Sequence, residues 1–331
     1  MTADPTLTLG WLVLAHLVAD FLLQTESMVN GKFAGRWRPL LLHGAAVALC
    51  LVPFAAAFDA PGLGLLAIVA VSHVAIDRWK IRATRHAEAE ALAAAHRRHD
   101  ATGATAGLGP AWTPVPGALF VLDQVAHLAV AGAAWAILIG NRGPNATFVG
   151  AVDRIVGAAD RGAVHAVALV AVVIVALAIA NIRAAALFVA TLVTPRQVIG
   201  GDAAQDAPPV AASAPAPHSW RLKVGSVVAT AEPLPVEQTP ETLAAAASRR
   251  SPARIGATIG ILERILIVIL VLAGSTAAIG FVVAAKTLAR FRQLDDRDFA
   301  EYYLLGTLAS VAFALATALV AAAAIATLRL T

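Results

Sequence analysis

The chain has 331 residues, 59% of them hydrophobic and only 14% charged, with a mean hydropathy of +0.75. Soluble domains carry about 25% charged residues, so the composition excludes an ordinary soluble protein and points to a polytopic membrane protein. The formal charge of +4 does not indicate a nucleic-acid partner, because the basic residues fall between apolar runs, where orientation in a bilayer accounts for them.

Met1 to Gly10 lacks a basic region and a small-residue cleavage site, so the first apolar run is expected to remain as a helix rather than be removed. Windows long enough for the roughly 20 residues of a spanning helix fall at 7–25, 39–58, 62–82, 117–139 and 163–194. They resume at 255–273, 276–293 and 300–328. The tight break Gly274-Ser275-Thr276 predicts a helical hairpin between the sixth and seventh. The expected fold is all-α, a polytopic transmembrane helix bundle of about eight spans. It divides into a five-helix membrane domain (1–195), a flexible cytosolic linker (196–254) and a three-helix membrane segment (255–331).

The linker is rich in Ala, Pro and Ser, a composition that does not build a core. Within it Trp220 to Val224 reads as β-like, and Glu241 to Arg250 as an amphipathic helix. Residues 83–115 read as an Ala-rich helix followed by a Gly/Pro loop, in which His96, His99 and Asp100 mark a solvated helix end. The single cysteine, Cys50, leaves no disulfide framework and no thiolate zinc site.

Basic residues fill every second connection: Lys32, Arg36 and Arg38; then Arg78 to Arg98; then Arg196 to Arg254; then Arg290, Arg292 and Arg297. Positive loops stay in the cytosol, so both termini are expected outside.

Seven ionisable side chains lie inside the apolar windows: His16, Asp20, His43, His73, Asp77, Asp123 and His127. Such groups are costly in hydrocarbon and mark function by default. His16/Asp20 and His73/Asp77 follow His-x-x-x-Asp, whereas Asp123/His127 reverses it; four-residue spacing puts each pair on one helix face. At 1.5 Å per residue, Asp20 lies about 6 Å and His16 about 12 Å below the cytosolic face, and His43 about 6 Å. Asp77 and His73 fall at about 8 and 14 Å, Asp123 and His127 at about 9 and 15 Å. The reversed order on the oppositely directed helix keeps carboxylates shallow and imidazoles deep. This is metal-ligand chemistry, with a divalent ion expected: zinc first, manganese or iron as alternatives. Seven donors exceed one tetrahedral ion, so either two ions share the site or some carboxylates orient ligating histidines.

The motifs AHLVADFLLQT at 15–25, LLHG at 41–44, SHVAID at 72–77 and LDQVAH at 122–127 resemble the bacterial membrane family named domain-of-unknown-function 3307. ILER at 261–264 and the segments 278–291 and 301–310 are similar to the rest of that pattern. The resemblance implies a bacterial inner-membrane location and no settled activity. A looser likeness, in intramembrane His and Asp on short helices, is to membrane-bound metal-dependent hydrolases.

Lys286 and Arg290 form a second polar layer with Glu263 and Glu301. Lys286 and Glu263 read as an ion pair and Arg290 as an interfacial anchor; alternatively Lys286 and Arg290 bind the phosphate of an anionic lipid or substrate. The leading expectation is a metal-dependent hydrolase acting at the cytosolic leaflet on a lipid, lipid-linked phosphate or membrane peptide, with Asp20 or Asp123 as general base. A metal-ion or proton transporter, and a scaffold or sensor with structural metal, are the alternatives. The outer halves of spans one to four are apolar apart from Thr6, Thr8 and Ser72, which favours a site that ends within the membrane.

Overall fold

The computed structural model describes residues 4–102, 113–193, 220–224, 227–231, 252–295 and 297–329. Helix α1 (Pro5–Phe21) starts where the Asp4 carboxylate accepts from the Thr6 and Leu7 amides at 3.0 and 3.4 Å, with Pro5 at the position that needs no donor. The chain then bends by 78° into the short helix α2 (Glu26–Phe33), capped by Thr25. Helix α3 (Trp37–Cys50) follows. After a turn at Leu51 comes α4 (Val52–Thr102), whose helical path is broken at Asp59 (φ 53°, ψ −128°), two residues before Pro61.

Asn145 holds that break. Its side-chain amide donates to Asp59 Oδ1 at 2.8 Å and Ala56 O at 2.9 Å, while its own Oδ1 caps α6 through the Phe148 amide. Helix α5 (Val115–Leu138) precedes this corner and α6 (Ala146–Val156) follows it. Helix α7 (Arg161–Ile179), capped by Asp160, passes through a π-helical turn at Ala180–Ala184 into α8 (Ala185–Val193). The C-terminal helices are α9 (Pro252–Leu272), α10 (Ala278–Ala289) and α11 (Arg297–Ala326).

Four helical stretches among the described residues are long and apolar enough to cross a membrane: 52–97, 115–138, 161–193 and 299–326. A fifth results if α1 and the bent α2 count as one broken span. Where full spans were expected at 39–58 and 276–293, α3 has 14 residues and α10 has 12. At 1.5 Å each these reach about 21 and 18 Å, short of the roughly 30 Å hydrocarbon by themselves. The connection expected near 58–61 is a kink at Asp59, where two helical stretches meet at one non-helical residue.

The bundle is apolar on its outside as well as within. Ile137 is 80% exposed, Phe281 79% and Val71 71%; in water this would be an aggregating surface, and against lipid it is the ordinary one. With the spans, it defines a helical membrane protein. Inside, Leu12, Ala15 and Ala19 of α1 pack with Val47 of α3, Leu65 and Val69 of α4, and Ala131 and Ala134 of α5. Small residues there let the backbones approach closely, the usual basis of association in membranes. Gly44 is the tightest case. A Cβ at this position would meet Val74 Cγ2 at 2.5 Å, so α3 lies against α4 only because the residue after His43 has no side chain.

The chain divides into two units, 1–196 with 259–331 and 197–258, and of the second the described residues are 220–224, 227–231 and 252–258. Within it β1 (Trp220–Val224) pairs antiparallel with β2 (Val227–Ala231), from Trp220 opposite Ala231 to Val224 opposite Val227. The β-like stretch read from the sequence is therefore a strand. The amphipathic helix expected at 241–250 lies outside the described residues.

Candidate metal centre

Four helices bring all seven predicted side chains to one place. His16 and Asp20 come from α1, His43 from α3, His73 and Asp77 from α4, Asp123 and His127 from α5. Six of the seven are buried, and the side chain of Asp20 is 9% exposed.

The innermost group is Asp20, His43 and His73. The Nε2 atoms of His43 and His73 are 2.9 Å apart, and they lie 3.4 and 3.2 Å from Asp20 Oδ1. Asp20 Oδ1 is buried and has no hydrogen-bond partner among the described residues. Three ligand-type atoms thus form a triangle with edges of 2.9 to 3.4 Å. Tetrahedral zinc with bonds of about 2.0–2.1 Å has ligand-to-ligand edges of about 3.3 Å. The residues fit the group.

The other four surround this triangle. His127 stacks on His73 with ring centroids 3.9 Å apart, and its Nδ1 is 3.7 Å from Asp123 Oδ1. His16 holds its Nδ1 3.8 Å from Asp20 Oδ1, and its Nε2 meets Gln124 Oε1 at 3.1 Å. Asp77 and Asp123 have partners that the sequence reading did not assign. Lys32, buried, donates to Asp77 Oδ2 and, at 2.8 Å, to Gln24 Oε1. Lys80 donates to Asp123 Oδ2 at 2.7 Å. Gln124 Nε2 also reaches Asp123 Oδ2 at 3.1 Å and Asp20 Oδ2 at 3.5 Å.

Lys80 carried a readable signal. His73, Asp77 and Lys80 lie at i, i+4 and i+7, one stripe of α4. Lys32 carried none, since it sits on the short helix after the 78° bend, in what reads as a polar loop. The fit of that helix depends on Gly31, where a Cβ would collide with Pro39 Cγ at 2.5 Å.

Cavities flank the cluster on two sides. One is lined by His16, His73 and His127 together with Leu12, Val47 and Ala131; beyond the imidazoles the wall is apolar apart from Ser72, whose hydroxyl donates to the Val69 carbonyl at 3.1 Å. The other is lined by Asp20, Asp77, Lys32, Lys80 and Gln124. Of the seven, His16, His73 and His127 thus line the one cavity, and Asp20 and Asp77 the other.

The second polar layer has its own partners. Lys286 is paired with Glu263, and Arg290 donates to Gln293 Oε1 at 3.2 Å on an exposed turn. The buried cation of this half is Arg264. It donates to the Asn181 carbonyl at 2.7 Å and Ser310 Oγ at 3.1 Å, meeting α8's π-helical approach where a carbonyl leaves the regular ladder.

Fold and cluster together define a helical membrane protein with a buried His/Asp/Lys centre. Residues 8–151 match the family described as Protein of unknown function (DUF3307). The matched segment holds all seven predicted residues and both lysines, whereas α7 to α11 lie outside it. No curated protein and no solved structure matches the chain.

Proposed function

We propose that the chain is a metal-dependent hydrolase of the bacterial inner membrane, with Asp20, His43 and His73 as the core of a divalent-metal site, zinc first among candidates. The observation that carries this reading is the triangle of three buried ligand-type atoms with zinc-like edges. His16 and His127 stand close enough to complete the coordination or to orient it, since ligand-type atoms of His16, His73 and His127 lie within 4.8 Å of one another. Divalent-metal chemistry supplies a nucleophilic water at neutral pH and polarises an ester oxygen.

The protein's own groups have distinct tasks. Asp123 Oδ1 has no hydrogen-bond partner among the described residues, while Lys80 and Gln124 fix its other oxygen. It is the group to take the proton of an attacking water; the new bond forms from the water oxygen to the ester centre as the bond from that centre to the leaving oxygen breaks, and the leaving oxygen takes the proton from Asp123. Asp77, held by Lys32 3.7 Å from His43 Nε2, orients that imidazole.

Lys32 and Lys80 of the polar cavity belong to the two basic segments that also carry Arg36, Arg82 and Arg85, and in the basic-loop reading that side is cytosolic. Both termini are then external, residues 196–254 are a cytosolic linker, and further crossings from α3 and α10 bring the spans toward eight. The apolar wall beyond the histidines favours a site that ends in the membrane over a path through it.

The test is elemental analysis of detergent-purified protein, wild type against Asp20→Ala and His73→Ala. About one zinc equivalent in wild type and loss in both variants is expected. Negligible metal in wild type after zinc loading would sink the proposal.

A further inference from the structure

We infer that the polar cavity beside the metal triangle is a binding site for a phosphate group carried on an apolar tail, with Lys32 and Lys80 as its recognition residues. This rests on the metal reading above. Lys32 and Lys80 line the cavity together with Asp20, Gln124 and the apolar side chains Phe120 and Leu187. Each ammonium has three donors. Lys32 gives two, to Gln24 and Asp77, and Lys80 gives one, to Asp123. One donor of Lys32 remains for a ligand in the cavity, and two of Lys80, whose ammonium also lies 5.1 Å from the centroid of the Phe120 ring.

Charge balance states which ligand. Three carboxylates, Asp20, Asp77 and Asp123, face two ammoniums, so with neutral imidazoles the centre carries one net negative charge. A divalent ion changes this to one net positive charge. In a low-dielectric site such an imbalance draws in one compensating ion, and a phosphoester supplies the charge together with acceptors for the three remaining donors. The apolar wall of the same cavity, Val29, Ile81, Phe120 and Leu187, has no use for a free inorganic ion. It suits a lipid chain.

The basic residues that the sequence suggested for this task, Lys286 and Arg290, are engaged elsewhere. The phosphate role passes to lysines that hold Asp77 and Asp123 beside the triangle, so either lysine can be replaced with Asp20, His43 and His73 left in place.

The experiment is calorimetric titration of the full-length, zinc-loaded protein in detergent with dioctanoyl phosphatidate, inorganic phosphate and dioctanoylglycerol. Phosphatidate is expected to bind at least about tenfold more tightly than either of the others. In Lys80→Gln its affinity falls by about tenfold or more, the scale of one charge-assisted hydrogen bond, while zinc uptake is retained and Lys80→Arg recovers part of the loss. Lys32→Gln gives the same pattern from the other side of the cavity.

If phosphatidate and diglyceride bind alike, or Lys80→Gln binds phosphatidate as wild type does with its zinc in place, the inference is overturned and the metal site stands. Equal affinity for inorganic phosphate overturns the lipid assignment. Failure of wild type to take up zinc removes the metal site, and this inference with it.

Discussion

Gly44→Ala tests whether the proposed metal centre depends on how closely α3 approaches α4. An added Cβ would sit 2.5 Å from Val74 Cγ2, against an ordinary contact that begins at 3.4 Å, so about 0.9 Å of room must be found. Val74 is β-branched and has little rotamer freedom in a helix, so the helices themselves must separate. Overpacking of this kind costs about 1–3 kcal/mol. It also acts on the site directly, because His43 precedes Gly44 and His73 precedes Val74: widening here pulls apart two Nε2 atoms now 2.9 Å from each other. A ligand displaced by a large fraction of an ångström should lower zinc affinity by about tenfold or more. The assay pairs thermal unfolding in detergent with zinc titration, for Gly44→Ala, Val74→Ala and the double variant. Removing Val74 Cγ2 makes room for the new methyl, so the double variant should regain much of the lost affinity. Zinc affinity in Gly44→Ala equal to wild type, or a loss that Val74→Ala does not relieve, would refute the reasoning.

Asn145→Ala removes the cap of α6 and both hydrogen bonds that hold the Asp59 kink; a loss of about 1–2 kcal/mol, read as a lower unfolding midpoint, should leave zinc stoichiometry unchanged. Arg264→Met strips the Asn181 carbonyl and Ser310 hydroxyl of their donor inside the bundle and should destabilise by about 1–3 kcal/mol. Arg264→Lys should recover little in the same unfolding assay, since a single ammonium lacks the forked donors of a guanidinium.

The cluster was readable because imidazoles and carboxylates stand out against apolar windows, and because i, i+4 spacing assigns each pair a face without any knowledge of the fold. The alternation of basic loops then placed the pairs at one depth, and the structure brings the same seven side chains together. Division of labour among the seven was not readable. It depends on Lys32, which arrives through the 78° bend, and on Gln124, which bridges Asp20 and Asp123 across two helices. Helix boundaries failed for a different reason. Hydropathy runs unbroken from Cys50 through Leu51 to Val52, so a window cannot see the turn that ends α3. Asp59 and Pro61 do mark a break, but it is a single non-helical residue rather than a loop, and Asn145, far along the chain, holds it.

The distribution of charge within the cluster singles out Asp20. Asp77 and Asp123 each have an ammonium of their own, whereas Asp20 is met by imidazoles and by the amide of Gln124. A carboxylate in hydrocarbon without a cation is unfavourable, and the nearest positions for one are the ligand positions of the triangle. It follows that a cation supplied by the chain itself should substitute for the proposed metal in stability while abolishing zinc binding. His43→Lys places an ammonium on the helix that already delivers Nε2 to within 3.4 Å of Asp20 Oδ1. Without zinc it should be more stable than His43→Ala by about 1–3 kcal/mol, the worth of a charge-assisted hydrogen bond. Added zinc should raise the unfolding midpoint of wild type but not of His43→Lys. Should His43→Lys instead prove less stable than His43→Ala in the absence of zinc, Asp20 is not a carboxylate waiting for a cation, and the central premise of the metal site is wrong.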